Sequence, residues 1–245
     1  MRPTGGSPRL DVALVQAGLA RSRQHGQALI RQGSVTVDGT VAVKASQIVD
    51  QNSVLQVRDD PWVSRSAHKL IGALDDAGVD VPARCLDAGA STGGFTQVLL
   101  SRGASRVYAV DVGHAQLAAS LASDPRVVIR EGLNIKDAGP TDVDGEPVGL
   151  AVADLSFISL RLVLPYLLPL IAADGDALVL VKPQFEVGRQ ALGASGVVRD
   201  DALRQHAVDA VSATAAGLGW RTAWRGVSRL AGTHGNVEYF LHLTR

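Results

Sequence analysis

From Ser66 onward the chain alternates short apolar runs with helix-patterned segments, and this alternation narrows the folds open to it. "RCLDAGA", "RVYAVDVG", "RVVIREG", "VGLAVADLS" and "DALVLVKP" read as strands; residues 66–77, 94–102, 115–122, 160–172 and 201–217 read as helices. Strand–helix repetition of this kind builds a mostly parallel sheet with helices on both faces. Two late strands, "RTAWRGVSRL" and "VEYFLHLTR", have no helix between them and are expected to pair antiparallel at one edge. A hydrophobic content of 46% is ample for the core of such a sheet.

The first 59 residues carry a different pattern. Leu10, Ala13, Leu14 and Ala17 recur at helical spacing up to Gly18, and Ser22 is a cap candidate for a second helix running toward Gly33. "SVTVDGTVAV" then alternates across Asp38-Gly39, a strong hairpin signal. The expected organisation is a small α+β module over 1–59, a linker over 60–65 and an α/β domain over 66–245. Net charge is zero overall, yet residues 1–58 hold seven Lys/Arg against three Asp/Glu, while the remainder holds 17 against 21. A basic front module on a mildly acidic body points to an anionic partner for the front.

Cys85 is the single cysteine, which excludes an intramolecular disulfide framework; in "RCLDAGA" it reads as a buried, inert thiol. The opening "MRPTGGSPRLD" lacks the apolar stretch of a secretory signal. The longest apolar run, residues 162–173, is too short to cross a bilayer and holds two prolines. A cytoplasmic protein with no membrane partner is expected. Residues 183–200 form a long glycine-bearing connection, expected to be a mobile loop over the active site.

Two apolar runs end in charge: "VADLSFISL" carries Asp154 and "LVLVKPQFEVG" carries Lys182. Unpaired buried charges are costly, so each is expected to have a partner. In an open α/β sheet both would lie at the strand ends where ligands bind. The same rim receives "CLDAGASTGGFTQVL", a strand, a glycine-rich turn and a helix start that lets a ligand approach the backbone. The dinucleotide fingerprint wants Gly-x-Gly-x-x-Gly, but here Gly89 is followed by Ala90 and Ser91, with Gly93 and Gly94 adjacent. That spacing disfavours a pyrophosphate. Asp111, ending the next strand, is placed to accept both hydroxyls of a ribose. A ribose-bearing cofactor without a pyrophosphate fits, namely S-adenosyl-L-methionine, and no metal is needed.

"DAGASTGGFT", "VADLSFISL", "VKPQFEVG" and "GNVEYFL" together resemble the TlyA family of ribosomal RNA 2′-O-methyltransferases, whose catalytic domain is FtsJ-like. The front module resembles the S4 RNA-binding domain through "SR" at 22–23 and "LIRQGSVTVDG" at 29–39. The resemblance runs from about Arg9 to Arg245 and implies a Rossmann-like methyltransferase fold behind an S4-like module. It also implies a Lys-Asp-Lys-Glu tetrad, carried here by Lys69, Asp154, Lys182 and Glu238, and ribosomal RNA as partner, with cytidine as the target. The chain departs from the family in the linker, where Asp60-Pro61 precedes Trp62 in place of a basic residue.

Cofactor-binding candidates are Asp87, Gly89, Ser91, Gly93, Gly94, Phe95, Asp111, Val112, Asn134 and Asp154, although the rings of Phe95 and Phe157 read as core rather than stacking platforms. RNA-binding candidates are Arg9, Arg23 and Lys44, then Arg21 and Arg31, with Arg65 and His68 extending the basic surface. A ribose 2′-hydroxyl is a weak nucleophile until its proton leaves, and general base help contributes about 10²–10⁴-fold. Lys182 is the candidate base. Asp154 and Glu238 would hold its proton, while burial, Lys69 and a sulfonium would release it; a charged Lys182 would instead stabilise the alkoxide. Three rival readings stand beside this one: an NAD-dependent enzyme, a non-catalytic RNA-binding or ribosome-assembly protein, and a hemolysin.

Overall fold

The computed structural model describes residues 7–31, 33–50, 52–57, 60–188, 192, 196–232 and 235–245. The chain divides into two compact units, Met1–Arg65 and Ser66–Arg245. In the first, α1 (Leu10–Gln16) and α2 (Arg23–Arg31) precede β1 (Val35–Val37), β2 (Thr40–Val41) and β3 (Leu55–Val57). The strands form an antiparallel sheet in the order β2-β1-β3. Ser22 caps α2 by accepting a 3.1 Å hydrogen bond from the His25 amide. Asp38 and Gly39 both take positive φ, as a two-residue hairpin turn with the strands' own twist requires. Leu10, Leu14, Ile30, Val35 and Val49 close a small core.

The second unit runs α3 (Ser66–Ala77), β4 (Arg84–Ala88), α4 (Gly94–Ser101), β5 (Arg106–Asp111), α5 (Ala119–Ala122), β6 (Val127–Glu131), β7 (Val148–Ala153), α6 (Leu160–Leu167), β8 (Ile171–Val181), α7 (Pro183–Glu186), α8 (Asp201–Gly217), β9 (Arg221–Val227) and β10 (Tyr239–Thr244). Its seven strands lie in the order β6-β5-β4-β7-β8-β10-β9. β6 to β8 are parallel, and β10 enters antiparallel between β8 and β9. β4, β7 and β8 are buried on both faces along most of their length, which is why they read as near-continuous apolar runs. Leaving β4, the chain passes to β5 on one side and later to β7 on the other. That reversal opens a crevice at the carboxyl ends of β4 and β7.

Two expected helices are shorter than their patterns. The segment over 160–172 stops being α-helical at Leu167, turns through a 3₁₀ stretch at Leu168–Leu170 around Pro169, and enters β8 at Ile171. The segment over 115–122 is helical only from Ala119, because Ala115 has φ +52 and the Ala115 and Gln116 amides donate to the Glu131 carboxylate instead. Of the expected loop over 183–200, residues 189–191 and 193–195 lie outside the described residues. Asn236 holds its far end, its side-chain oxygen accepting from the Val198 amide and its nitrogen donating to the Gly196 carbonyl.

Candidate active site

The glycine turn is built by backbone conformations that side chains resist. Gly89 has φ +87, and a Cβ there would stand 2.6 Å from the Asp154 carbonyl oxygen, so the absent side chain lets β4 and the end of β7 converge. Ser91 and Gly93 also take positive φ before α4 begins at Gly94. The Ser91 amide donates to Asp111 Oδ2 at 2.8 Å and the Gly113 amide to Oδ1 at 2.7 Å, fixing the carboxylate at the tip of β5. A carboxylate offers more acceptor positions than these two amides use, so both oxygens can still receive hydroxyls.

A cavity of about 560 Å³ opens at this rim. Gly89, Ser91, Asp111, Val112, Asn134 and Asp154 line it, six of the ten residues expected from sequence. Leu133, Ile135, Leu155 and Ile158 add apolar walls that sequence reasoning did not single out. Gly93 and Gly94 are buried under the turn and do not line it. Phe95 is 2% exposed and packs on Phe240 with ring centroids 6.2 Å apart, in the core. Asp87 is wholly buried beneath the turn; Thr96 donates to one of its oxygens at 2.7 Å, and the other has no hydrogen-bond partner. Burial pushes the Asp87 carboxyl up to about 7, with the Thr96 bond opposing and Asp154 adding to the rise.

The two lysines expected from sequence each find a carboxylate. Lys182 Nζ lies 2.6 Å from Asp154 Oδ1, an ion pair by distance although its direction falls outside hydrogen-bond geometry, and donates to Ser156 Oγ at 2.9 Å. Lys69 Nζ donates to Glu238 Oε2 at 2.6 Å, with both side chains almost fully buried. The sheet register links the pairs. Tyr239 stands opposite Val181, and Glu238 and Lys182 are the chain neighbours of that terminal pair. Asp154 follows the last residue of β7, with its amide bonded to the Ala88 carbonyl. Asp154 lines the cavity and Lys182 reaches its wall through Asp154 and Ser156, whereas Lys69 and Glu238 do not line it.

Phe157 corrects the expectation of a core aromatic. It is 91% exposed at φ +65, lines the cavity, and tilts on Phe185 at 5.3 Å. Glu186, unremarked in the sequence, holds this lip together. Its carboxylate accepts from Ser159 Oγ at 2.5 Å and from the Leu160 amide at 2.7 Å, tying the turn after Lys182 to the start of α6 after Phe157. An acid four residues beyond Lys182 in "KPQFE" was its only signal.

Comparison with known proteins decides the family. Residues 62–245 match the FtsJ-like methyltransferase model and residues 8–55 the S4 domain model. Over 239 residues the chain is 52% identical to the 16S/23S rRNA (cytidine-2′-O)-methyltransferase TlyA of Mycobacterium tuberculosis (strain ATCC 25618 / H37Rv), covering 96% of this chain and 89% of that one. The chain belongs to the TlyA family. Another relative is the Hemolysin A of Brachyspira hyodysenteriae, 38% identical over 96% of this chain and 98% of that one. A solved Streptococcus thermophilus structure, also called a hemolysin, is 36% identical with a TM-score of 0.76, covering 97% of this chain and 88% of that one. Among the described residues no helix is long and apolar enough to cross a membrane, and no group of three or more metal-binding side chains gathers.

For this TlyA-family chain the RNA candidates Arg9, Arg21, Arg23, Arg31 and Lys44 are all exposed on the first unit. Arg65 is half-buried and ends that unit, while exposed His68 lies on α3 of the second.

Proposed function

We propose that this chain binds S-adenosyl-L-methionine in the cavity beside Gly89 and transfers its methyl group to a ribose 2′-hydroxyl, that of a cytidine in ribosomal RNA. The fit supports the cofactor: a carboxylate at the tip of β5 for a ribose, apolar walls for a purine, and Gly89 and Ser91 of the glycine turn lining the cavity. The bound cofactor supplies a methyl group already activated on a sulfonium. The protein's task is then the oxygen. Holding the 2′-hydroxyl in line and managing its proton are the terms a side chain can supply.

The Lys182–Asp154 pair beside the cavity carries this reading. A lysine ammonium has three donors; Ser156 engages one and Asp154 pairs with the charge, which leaves donor capacity for the 2′-oxygen. As an ammonium Lys182 stabilises the developing alkoxide; having passed a proton to Asp154, it takes the hydroxyl proton as base. In this reading the buried Lys69–Glu238 pair completes the tetrad. The named activity of the Mycobacterium tuberculosis relative supports the substrate, and the S4 unit supports RNA as the partner. Structured RNA must splay the target nucleotide for its ribose to reach this site.

The test is to map ribose methylation in ribosomal RNA from cells with and without the protein, and to titrate the purified chain with S-adenosyl-L-methionine and with NAD. A cytidine 2′-O-methyl mark that depends on the protein and disappears in Lys182→Ala, with cofactor affinity retained, is expected. An unchanged methylation map, or preferential binding of NAD, would overturn the reading.

A further inference from the structure

Asp11 is wholly buried on α1, yet it gathers donors from the residue that precedes α1 and from α2. Arg9 reaches it with Nε at 3.1 Å and Nη2 at 3.3 Å. Arg23, the first residue of α2, donates from Nη2 at 3.4 Å, and Gln27, one turn on, from Nε2 at 2.8 Å. Three of these donors, from three residues, meet the single oxygen Oδ2. The Arg9 hydrogen bond is the largest influence on the Asp11 carboxyl and holds it well below the usual carboxylate range against the opposing effect of burial.

The arginines themselves are not buried; their side chains remain 45% and 59% exposed. A guanidinium carries five donors in a rigid fork, and only part of each fork is spent on Asp11. Both guanidiniums are thus tethered to one carboxylate oxygen, each by an Nη2 donor. An unanchored surface arginine must surrender rotamer freedom on binding, whereas this pair has surrendered it already on folding. A carboxylate beneath a phosphate-binding face also repels the ligand. Its presence there has a cost in attraction that orientation can offset.

We infer that Asp11 is a positioning residue of the RNA interface, presenting Arg9 and Arg23 as a fixed clamp for one phosphate of the RNA backbone. This rests on the reading that the S4 unit binds RNA. A purely structural Asp11, tying α1 to α2, makes the opposite prediction for affinity. Asp11→Asn adds one positive charge to the face, so without an orienting role RNA binding stays unchanged or tightens.

The experiment measures binding of the full-length chain to unmethylated ribosomal subunits across a salt series, well below each variant's melting temperature. Asp11→Asn is expected to weaken binding about three- to tenfold and to lower the salt slope by roughly one phosphate contact. In an Arg9→Ala/Arg23→Ala background the same substitution should weaken nothing further. Arg9→Lys/Arg23→Lys keeps the charge but loses the fork, and should bind more weakly than the native chain even if Asp11→Asn does not fold. Unchanged or tighter binding by Asp11→Asn, equal binding by the lysine pair, or continued weakening without the arginines would overturn the inference. If Arg9→Ala/Arg23→Ala itself leaves binding intact, the RNA reading of this face fails and the clamp fails with it.

Discussion

Lys69 and Glu238 are 169 positions apart in sequence and 2.6 Å apart in space, one on the helix that opens the second unit and the other immediately before its last described strand. Removing one partner of a buried pair strands the other charge, at about 3–5 kcal/mol, whereas removing both can be nearly neutral. Lys69→Met and Glu238→Gln alone should each lower stability by about that much. The double variant should regain most of the loss in denaturant melts. It should not regain methyl transfer, which under the proposed function needs the charges and not merely the packing. A double variant that methylates at near-native rate would reduce this pair to a structural role.

Phe157 stands 91% exposed at the lip of the cavity. An exposed ring contributes little to stability, so Phe157→Ala should leave the melting temperature close to native. Stacking a base on an aromatic face is worth about 1–3 kcal/mol. If the ring receives the splayed nucleotide, kcat/KM for RNA should fall about tenfold or more, with unchanged affinity for S-adenosyl-L-methionine. Phe157→Tyr should retain the rate.

Glu186 bridges the turn after Lys182 and the start of α6 through Ser159 and Leu160. Glu186→Gln keeps the shape but loses a charge-assisted acceptor, and hydrogen bonds to charged groups are worth about 1.5–3 kcal/mol. We expect lower stability of that order and a kcat that falls more than KM rises, read from single-turnover methylation. An unaltered kcat would mean that the Asp154 and Lys182 segments keep their register without it.

Asp87 makes a pH prediction. Its folded value is raised to about 7, while an unfolded aspartate titrates near 3.9. Between about pH 4 and 7 the folded chain thus retains a proton that the unfolded chain has released. The contribution to stability is full below that window, declines as pH rises through it, and levels off above. Melts of the native chain and Asp87→Asn from pH 5 to 8 should diverge, the variant losing less stability toward high pH. Parallel curves would mean that Asp87 folds in its ionised form.

The α/β sheet, the edge pairing and the hairpin at Asp38-Gly39 were all legible because each rests on local periodicity or turn chemistry. The two ion pairs, Lys182–Asp154 and Lys69–Glu238, join charges that stand in distinctive motifs. Asp11 was not legible. An acid beside arginines at the start of a helix reads as a solvated surface, and only the packing of α1 on α2 buries it. Phe157 misled for the converse reason: an aromatic within "LSFISL" reads as core, while its positive φ turns it out to solvent. The shortened helix before Ala119 depended on Glu131, a contact across β6 that no window of neighbouring residues contains.

β10 follows every other described strand in the chain yet lies inside the sheet, between β8 and β9. Glu238 precedes it by one residue, so the acid that pairs with Lys69 is in place only when β10 has covered the edge of β8. Until that strand is threaded home, β8 presents an open edge and Lys69 has no counter-charge. Any opening of β10 thus uncovers the edge of β8 and unpairs Lys69 in one movement, which couples the integrity of the sheet to the charge balance at that end.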